Sequence, residues 1–166
     1  AIRPEIIREV IKACRGAGSL SIVYASMSSP QLHERVISPH TLVYTGFRWH
    51  VRAYCHNRQA FRDFLLSRID RTPKLSLESA PAADVDALWQ EQITLTLIPN
   101  TLLTTAQQAL VERDFSMPDG RLQLTVRKAL AHYTLQRYQA AITEQEAGRV
   151  REHPLQLLSA DRVKLD

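Results

Sequence analysis

The sequence predicts an α+β fold in which one helix precedes a small, strongly bent β-sheet or barrel and an α+β extension follows. Three observations support this prediction: a helical apolar stripe near the N-terminus, several short β-type segments within residues 19–79, and alternating strand and helix patterns from residue 92 onward. The chain has 166 residues, of which 45% are hydrophobic, which suits one large domain or two small ones.

The first element is a helix with a single buried stripe. Its apolar positions are Ile7, Val10, Ile11 and Cys14, at the i, i+3, i+4, i+7 spacing. Pro4 suits the first turn, and Gly16 and Gly18 end the helix. Because the sequence begins with Ala1 and has no apolar signal region, we expect it to come from inside a longer protein. Residues 1–18 would then be a connecting helix.

Residues 19–80 are predicted to form the β-domain. Thr45-Gly46 is a hairpin signal, and the small-residue stretch 79–84, which contains Pro81, is the best linker candidate. The predicted strands are residues 20–25, 34–44, 47–55, 59–69 and, as a last short one, 74–78.

Residues 81–166 are predicted to form the extension. Residues 92–98 and 121–127 alternate like strands, Thr104 or Thr105 can cap a helix that ends near Arg113, and residues 117–120 form a turn. Residues 128–146 have one apolar helical side. If residues 114–116 add a short strand, the β-α-β-β-α order indicates a ferredoxin-like or split β-α-β unit.

The net charge of +4 is unevenly distributed. Residues 1–80 hold 12 Lys and Arg against 6 Asp and Glu, whereas residues 81–166 hold 9 against 11. A basic first half indicates an anionic ligand or nucleic acid, although an ordinary solvated surface has the same composition. Two cysteines without CxxC spacing indicate free thiols in a reducing cytoplasm, and no apolar run is long enough to cross a membrane.

The segment 47–55 is the most informative one. Alternation places Phe47, Trp49, Val51, Ala53 and Cys55 on one apolar face, which we expect to pack into the core. The opposite face carries Arg48, His50, Arg52 and Tyr54, which can bind phosphates and stack on bases. The alternative is a solvent-facing outer strand whose arginines protect a sheet edge.

Neighbouring segments add further donors. Arg62 and Arg68 share strand parity, and Tyr24 and Ser26 add hydroxyl groups. Arg35 and His40 have opposite parity, so both can line one site only if a bulge, for which Pro39 is a plausible place, redirects one of them.

Signals for catalysis are weak. The six histidines show no HxxxH or HxH spacing, and no phosphate-binding glycine loop or GxSxG motif is present. We therefore expect neither an enzyme nor a metal or cofactor site.

Four blocks in one order resemble a known family: SIVYASMS at 21–28, RVISPH at 35–40, RWHVRAY at 48–54 and FRDFLLSRI at 61–69. Together they resemble the WYL domain of bacterial transcription regulators, and especially the BrxR/CapW-type repressors of phage-defence operons. The segment from Trp89 through Pro99, Arg127 and Tyr133 resembles the WYL C-terminal extension.

The resemblance implies an Sm-like β-barrel for the middle region and a ferredoxin-like extension that helps to build a homodimer. It also implies a polar pocket formed by Tyr24, Ser26, Arg35, His40, His50, Arg52, Arg62 and Arg68. Two residues depart from the name-giving motif, with His50 for Tyr and Val51 for Leu. Because His50 can titrate near neutrality, the ligand of Tyr-containing members does not carry over.

Three functional hypotheses follow. In the first, an anionic effector, a nucleotide or short nucleic acid, binds this pocket and controls operator DNA binding by a winged helix-turn-helix, for which residues 1–166 show no motif. In the second, the barrel binds single-stranded nucleic acid directly. In the third, the chain is a dimerisation scaffold whose arginines pair with Asp63, Glu34 and Asp70.

Overall fold

The computed structural model describes residues 1–16 and 18–166 of the chain; Ala17, within the predicted connecting segment 1–18, lies outside the described residues. The structure confirms the α+β class and divides into two units, Ala1–Asp86 and Ala87–Asp166. Among the described residues, no helix combines the length and the apolar character that a bilayer crossing requires.

The first unit is one helix and a five-stranded antiparallel sheet. Helix α1 spans Pro4–Gly16, and the sheet order is β4-β3-β2-β1-β5. The strands are β1 Ser19–Tyr24, β2 His33–Tyr44, β3 Trp49–Cys55, β4 Ala60–Leu65 and β5 Lys74–Ser76. Short 3-10 turns at Leu66–Arg68 and Ala83–Val85 follow β4 and β5.

This sheet is strongly bent, as the sequence predicts. In a flat sheet, β1 and β4 would lie three strand spacings apart, about 14 Å. Instead, the Leu65 N–H at the end of β4 donates to Tyr24 Oη of β1 at 3.1 Å, and Ile69 forms an antiparallel bridge with Tyr24. The sheet must curl for these contacts to form.

Helix α1 packs against the concave apolar side of the sheet. Its buried residues are Ile6, Val10 and Ala13, which join a core that includes Ile22 and Ile37. The predicted stripe is therefore rotated by about one residue: Ile7 and Cys14 lie at the margin of this core, and Ile11 is half-buried. The physical reason is that two apolar stripes run along α1, and the one containing Ile6 fits the sheet.

The second unit contains a four-stranded mixed sheet in the order β7-β6-β9-β8, with β8 and β9 parallel. The strands are β6 Gln92–Pro99, β7 Leu122–Arg127, β8 Ala140–Ala141 and β9 Leu155–Leu157. The helices are α2 Ala87–Gln90, α3 Thr105–Asp114, α4 Ala131–Arg137 and α5 Glu144–Ala147. Leu95, Leu97, Leu135, Leu155 and Leu157 form the centre of its core.

Two elements of this unit differ from the sequence prediction. Residues 114–116 close α3 instead of forming a strand, and Ser116 has a left-handed φ of 49°. The single helix predicted over 128–146 ends at Arg137, because the backbone turns at Gln139 with a φ of 52° and the next two residues pair with β9. A new helix begins after Thr143, whose side chain caps it.

Candidate functional site

Both faces of β3 are buried. Val51, Ala53 and Cys55 lie in the core, while His50 and Arg52 on the opposite face are 0% and 5% exposed. The alternative of a solvent-facing outer strand is therefore wrong for His50 and Arg52. We refer to the side of the sheet that carries His40, His50, Arg52 and Asp63 as the polar face.

The aromatic end of the predicted core face lies outside the core. Thr45 N–H donates to the carbonyl of Arg48 at 3.1 Å, so the turn between β2 and β3 is longer than Thr45-Gly46 and includes Phe47. Phe47 is 71% exposed and Trp49 is 40% exposed. The Trp49 ring packs instead on Tyr44, with ring centroids 5.0 Å apart. The prediction that Trp49 serves the core is wrong, because the strand begins only at Trp49, at the edge of the buried area.

A bulge in β2 places both His40 and Thr41 on the polar face. The register of β2 against β3 shifts between Pro39 and Thr41, so that Thr41 pairs with Arg52. The bulge predicted at Pro39 is present, but it does not bring Arg35 and His40 to one site, because Arg35 lies on the core side of the sheet. His40 Nδ1 lies 2.8 Å from Thr41 Oγ1, which orients the ring.

Asp86 is the centre of the polar face, and the sequence prediction missed it. This residue is 1% exposed, and its carboxylate accepts two hydrogen bonds from Arg52: Nε to Oδ2 at 2.7 Å and Nη2 to Oδ1 at 2.9 Å. His40 Nε2 lies 3.0 Å from the same Oδ2. The only sequence signal was a pair of carboxylates at the end of the linker candidate, Asp84 as its last residue and Asp86 two residues later. Their spacing does not say which one turns inward.

A second carboxylate completes this network. Asp63 stands opposite Arg52 in the β3–β4 register, and Arg52 Nη1 donates to its Oδ1 at 3.3 Å. Burial alone would lower the pKa of Arg52, but the hydrogen bonds and charges of Asp86 and Asp63 outweigh it and raise that pKa. The guanidinium therefore stays charged at neutral pH.

His50 lies beside the same carboxylate, with Nε2 3.7 Å from Asp63 Oδ1. Burial lowers the pKa of His50 below its usual value; the charge of Asp63 opposes this, and those of Arg52 and Arg48 add to it. His50 is consequently a neutral ring at pH 7, able to donate and accept one hydrogen bond each.

Aromatic rings border this network. Phe61 packs edge-on against His40, with centroids 5.7 Å apart, and against Tyr54 at 5.3 Å. Tyr54 in turn packs against His56 at 5.1 Å. The polar face therefore combines a guanidinium with a row of half-buried rings, which is the chemistry that binds an anion attached to a planar group.

The remaining predicted residues are distributed differently. Tyr24 is buried against Phe64 and accepts a hydrogen bond from Leu65, while Ser26 Oγ accepts one from Ser29 N–H in a local turn. By register, Arg35 stands opposite Ile22 and Arg62 opposite Ala53, on the core side of the sheet.

Arg35 is buried, and its Nε has no hydrogen-bond partner among the described residues. Arg62 is exposed, and Arg68 is half-buried in the 3-10 turn after β4. Of the eight predicted residues, the structure joins His40, His50 and Arg52 into one network.

One ion pair named for the scaffold alternative, Arg52 with Asp63, is present. No group of three or more metal-ligating side chains occurs in the part of the chain that the structure describes.

The bent sheet with its polar face and the α+β unit after it define the class of protein. Residues 5–73 match the WYL domain, and residues 92–163 match the C-terminal dimerization domain of the BrxR transcriptional regulator. The chain belongs to the WYL-domain family whose members carry this BrxR-type C-terminal domain.

Its relatives include DNA-binding transcriptional repressors named CapW. The protein from Pseudomonas aeruginosa is 38% identical over 164 residues, which cover 99% of this chain and 54% of that protein. CapW from Escherichia coli strain KTE188 is 38% identical over 148 residues (89% and 48%), and CapW from Stenotrophomonas maltophilia is 38% identical over 135 residues (81% and 45%). The chain thus spans about half the length of these curated relatives.

Among solved structures, the proteasome accessory factor B/C (PafBC) of Arthrobacter aurescens matches with a TM-score of 0.44 and 19% identity, covering 99% of this chain and 26% of that one.

Proposed function

We propose that this chain is the effector-sensing and dimerising region of a bacterial transcriptional repressor that acts by binding rather than by catalysis. An anionic, nucleotide-like effector binds the WYL domain, and the repressor's DNA-binding domain responds by changing its affinity for operator DNA in the cytoplasm. The CapW relatives, named as DNA-binding repressors, support the regulatory role.

The observation that carries the proposal is the buried polar face. A domain of this size normally buries apolar side chains, and desolvating a guanidinium, two carboxylates and two imidazoles costs free energy that an apolar core would not. Arg52 already holds one oxyanion, the Asp86 carboxylate, through the paired Nε and Nη2 donors that a ligand oxyanion would also use, and the rings of Phe61 and Tyr54 lie next to it on the same face. Arg35 adds a buried guanidinium on the other side of the sheet, and it stays a candidate ligand residue.

The test uses the full repressor with an operator-controlled reporter. Arg52→Ala is expected to keep operator binding and to lose the response to the inducing signal, because the anion loses its paired donors. Arg58→Ala, which removes an exposed charge from the β3–β4 turn, is the matched control and should respond as the parent does. A normal response of Arg52→Ala would refute the site.

Dimerisation is proposed for residues 92–163, on the strength of their match to a dimerization domain. Light scattering coupled to size-exclusion chromatography of the 166-residue chain should give twice the monomer mass of 18.9 kDa. A mass that stays at the monomer value at a protein concentration of about 100 μM, roughly 100 times a micromolar Kd, would contradict the proposal.

One observation favours a second function, single-stranded nucleic-acid binding. Tyr44, Phe47 and Trp49 are exposed on the β2–β3 hairpin, and the exposed Arg48 lies among them. Bases stack on such rings while arginine contacts the backbone. Fluorescence anisotropy with a labelled 30-nucleotide oligo-dT separates the two functions. Direct strand binding gives an affinity that falls steeply with salt on a log–log plot. An effector pocket instead gives saturable binding of a mononucleotide.

A further inference from the structure

Residues 77–86, which we call the linker strap, are held to the first unit at both ends. Near the start, Ser19 Oγ of β1 donates to the Glu78 carbonyl at 2.5 Å. At the end, Asp86 binds Arg52 of β3. The two anchors lie on β1 and β3, and β2 lies between these strands in the sheet. The strap therefore crosses β2 on its way from β1 to β3. Residues 79–82 between these anchors are exposed, so the two end contacts hold the strap in place.

Fixing the linker through Asp86 requires two charged groups to be buried, which costs desolvation free energy. Asp86 and Arg52 are both buried, and bringing both charges out of water offsets much of their attraction. Well-packed apolar residues would hold the same segment at least as firmly. Buried ion pairs are best attested where a contact must be specific or must switch, and the site that Asp86 occupies is the one where an anionic effector is proposed to bind.

We propose that Asp86 is an internal ligand of this site: its carboxylate occupies an oxyanion-binding position formed by Arg52 and His40, and a phosphate- or carboxylate-bearing effector binds by displacing it and releasing the strap. This inference rests on the proposed function. It adds that the effector is recognised by its anionic group, which replaces the Asp86 carboxylate. Asp86 is the last residue of the first unit and directly precedes Ala87. Release would therefore free the segment of the first unit that leads into the second.

The geometry suits an exchange of one oxyanion for another. Asp86 takes the Nε and Nη2 edge of the guanidinium, while Asp63 takes Nη1 from the neighbouring strand. When Asp86 leaves, Asp63 still orients Arg52, and the vacated edge presents two parallel N–H donors. Carboxylates and phosphates both match that fork. His40 Nε2, now 3.0 Å from Asp86 Oδ2, is placed to contact the same incoming oxygen.

Inorganic phosphate is the first probe, measured by isothermal titration calorimetry on the 166-residue chain. Asp86→Asn is expected to bind phosphate at least about 10-fold more tightly than the parent, because the parent must first open a state that excludes the ligand. Asp84→Asn removes the same charge from an exposed position two residues earlier and should bind as the parent does. Arg52→Gln in the Asp86→Asn background should abolish binding. Equal affinity of Asp86→Asn and the parent, or no phosphate binding by either, would overturn the proposal.

Hydrogen exchange of the parent chain gives an independent measurement that does not depend on the stability of a variant. Saturating phosphate is expected to speed exchange of the Val85 and Asp86 amides, which donate to the carbonyls of Ala82 and Ala83, at least about 10-fold and to leave core strand β1 unchanged. Phosphate that binds while the Val85 and Asp86 amides stay protected would contradict the displacement. The reporter separates the two proposals: if Arg52→Ala abolishes the response but these tests fail, the sensing function stands and the internal ligand does not. If Arg52→Ala responds normally, the sensing function fails.

Discussion

The ion pair between Arg52 and Asp86 allows a quantitative test of how the polar face is held together. Removing one member of a buried pair typically costs about 3–5 kcal/mol, because the other charge is left desolvated. We expect about 3 kcal/mol for Asp86→Ala, since Asp63 keeps one contact with Arg52 at 3.3 Å. We also expect about 3 kcal/mol for Arg52→Ala, since His40 stays 3.0 Å from Asp86. The double variant leaves neither charge and should cost about 3 rather than about 6 kcal/mol, a coupling free energy of about 3 kcal/mol.

The two tryptophans allow the first unit to be followed by itself. Trp49 begins β3 and Trp89 lies in α2 of the second unit, so a Trp89→Phe background leaves Trp49 as the reporter. Urea unfolding followed by Trp49 fluorescence should show each single variant shifted to lower urea by about 1–2 M, for a slope of about 2 kcal/mol/M. Asp84→Ala is the surface control and should stay within about 0.5 kcal/mol of the parent.

A coupling free energy below about 0.5 kcal/mol would refute this account, because it would mean that Arg52 and Asp86 contribute independently. In that case the losses of the two single variants would add up to the loss of the double variant. The strap would then lack its proposed anchor.

Three further predictions concern His50, Arg35 and the first turn of α3. Below about pH 6.5 the unfolded chain protonates its histidine, whereas folded His50, whose pKa is lowered by burial, does not; stability should therefore fall as the pH drops from about 6.5 toward the folded pKa, and His50→Gln should flatten that part of a urea-midpoint series. Arg35→Met is expected to leave the free energy of unfolding unchanged or to raise it by about 1 kcal/mol, since it removes a buried guanidinium whose Nε has no partner among the described residues; the same urea assay measures it. Thr104→Ala should cost the second unit about 1 kcal/mol in thermal unfolding, because Thr104 Oγ1 accepts from Gln107 N–H in a capping box.

Each of these has a clear contrary result. Stability that is constant between pH 7.5 and pH 5 would show that His50 titrates alike in both states. A loss of more than about 2 kcal/mol for Arg35→Met would show that the guanidinium is structurally satisfied. Thr105→Ala changes the neighbouring exposed residue without removing the cap; a loss equal to that of Thr104→Ala would contradict the role of the cap.

Local patterns predicted those parts of the fold that local interactions form. The turn at 117–120 and the cap at Thr104 depend on residues a few positions apart, and both are present in the structure. The bulge at Pro39 was predicted on the premise that Arg35 and His40 line one site. The register does shift there, but Arg35 stays on the core side and only His40 lies on the polar face, so the premise was wrong. The resemblance to WYL-domain regulators, carried by four short blocks, is confirmed by the family match over residues 5–73.

Local sequence patterns did not predict where along a strand or helix the burial of its residues stops. Alternation along β3 indicates which side each residue takes, and it correctly placed Val51 and Ala53 in the core. It says nothing about whether that side is still covered at the end of the strand, which is why Trp49 is partly exposed against Tyr44. The helix predicted over 128–146 failed similarly, because the pairing of β8 with β9 outweighs the helical pattern after Arg137.

The sequence by itself determined the α+β class, the order of the main strands, and a β3 strand with one apolar and one basic face, because these follow from side-chain alternation and turn chemistry. Only the tertiary structure decided what the basic face contacts. Arg52 and Asp86 are 34 residues apart, and Tyr24 and Leu65 are 41 apart. Which carboxylate meets a guanidinium at such separations depends on how far the sheet curls and where the linker crosses it. Those are consequences of packing the whole unit, and no local pattern encodes them.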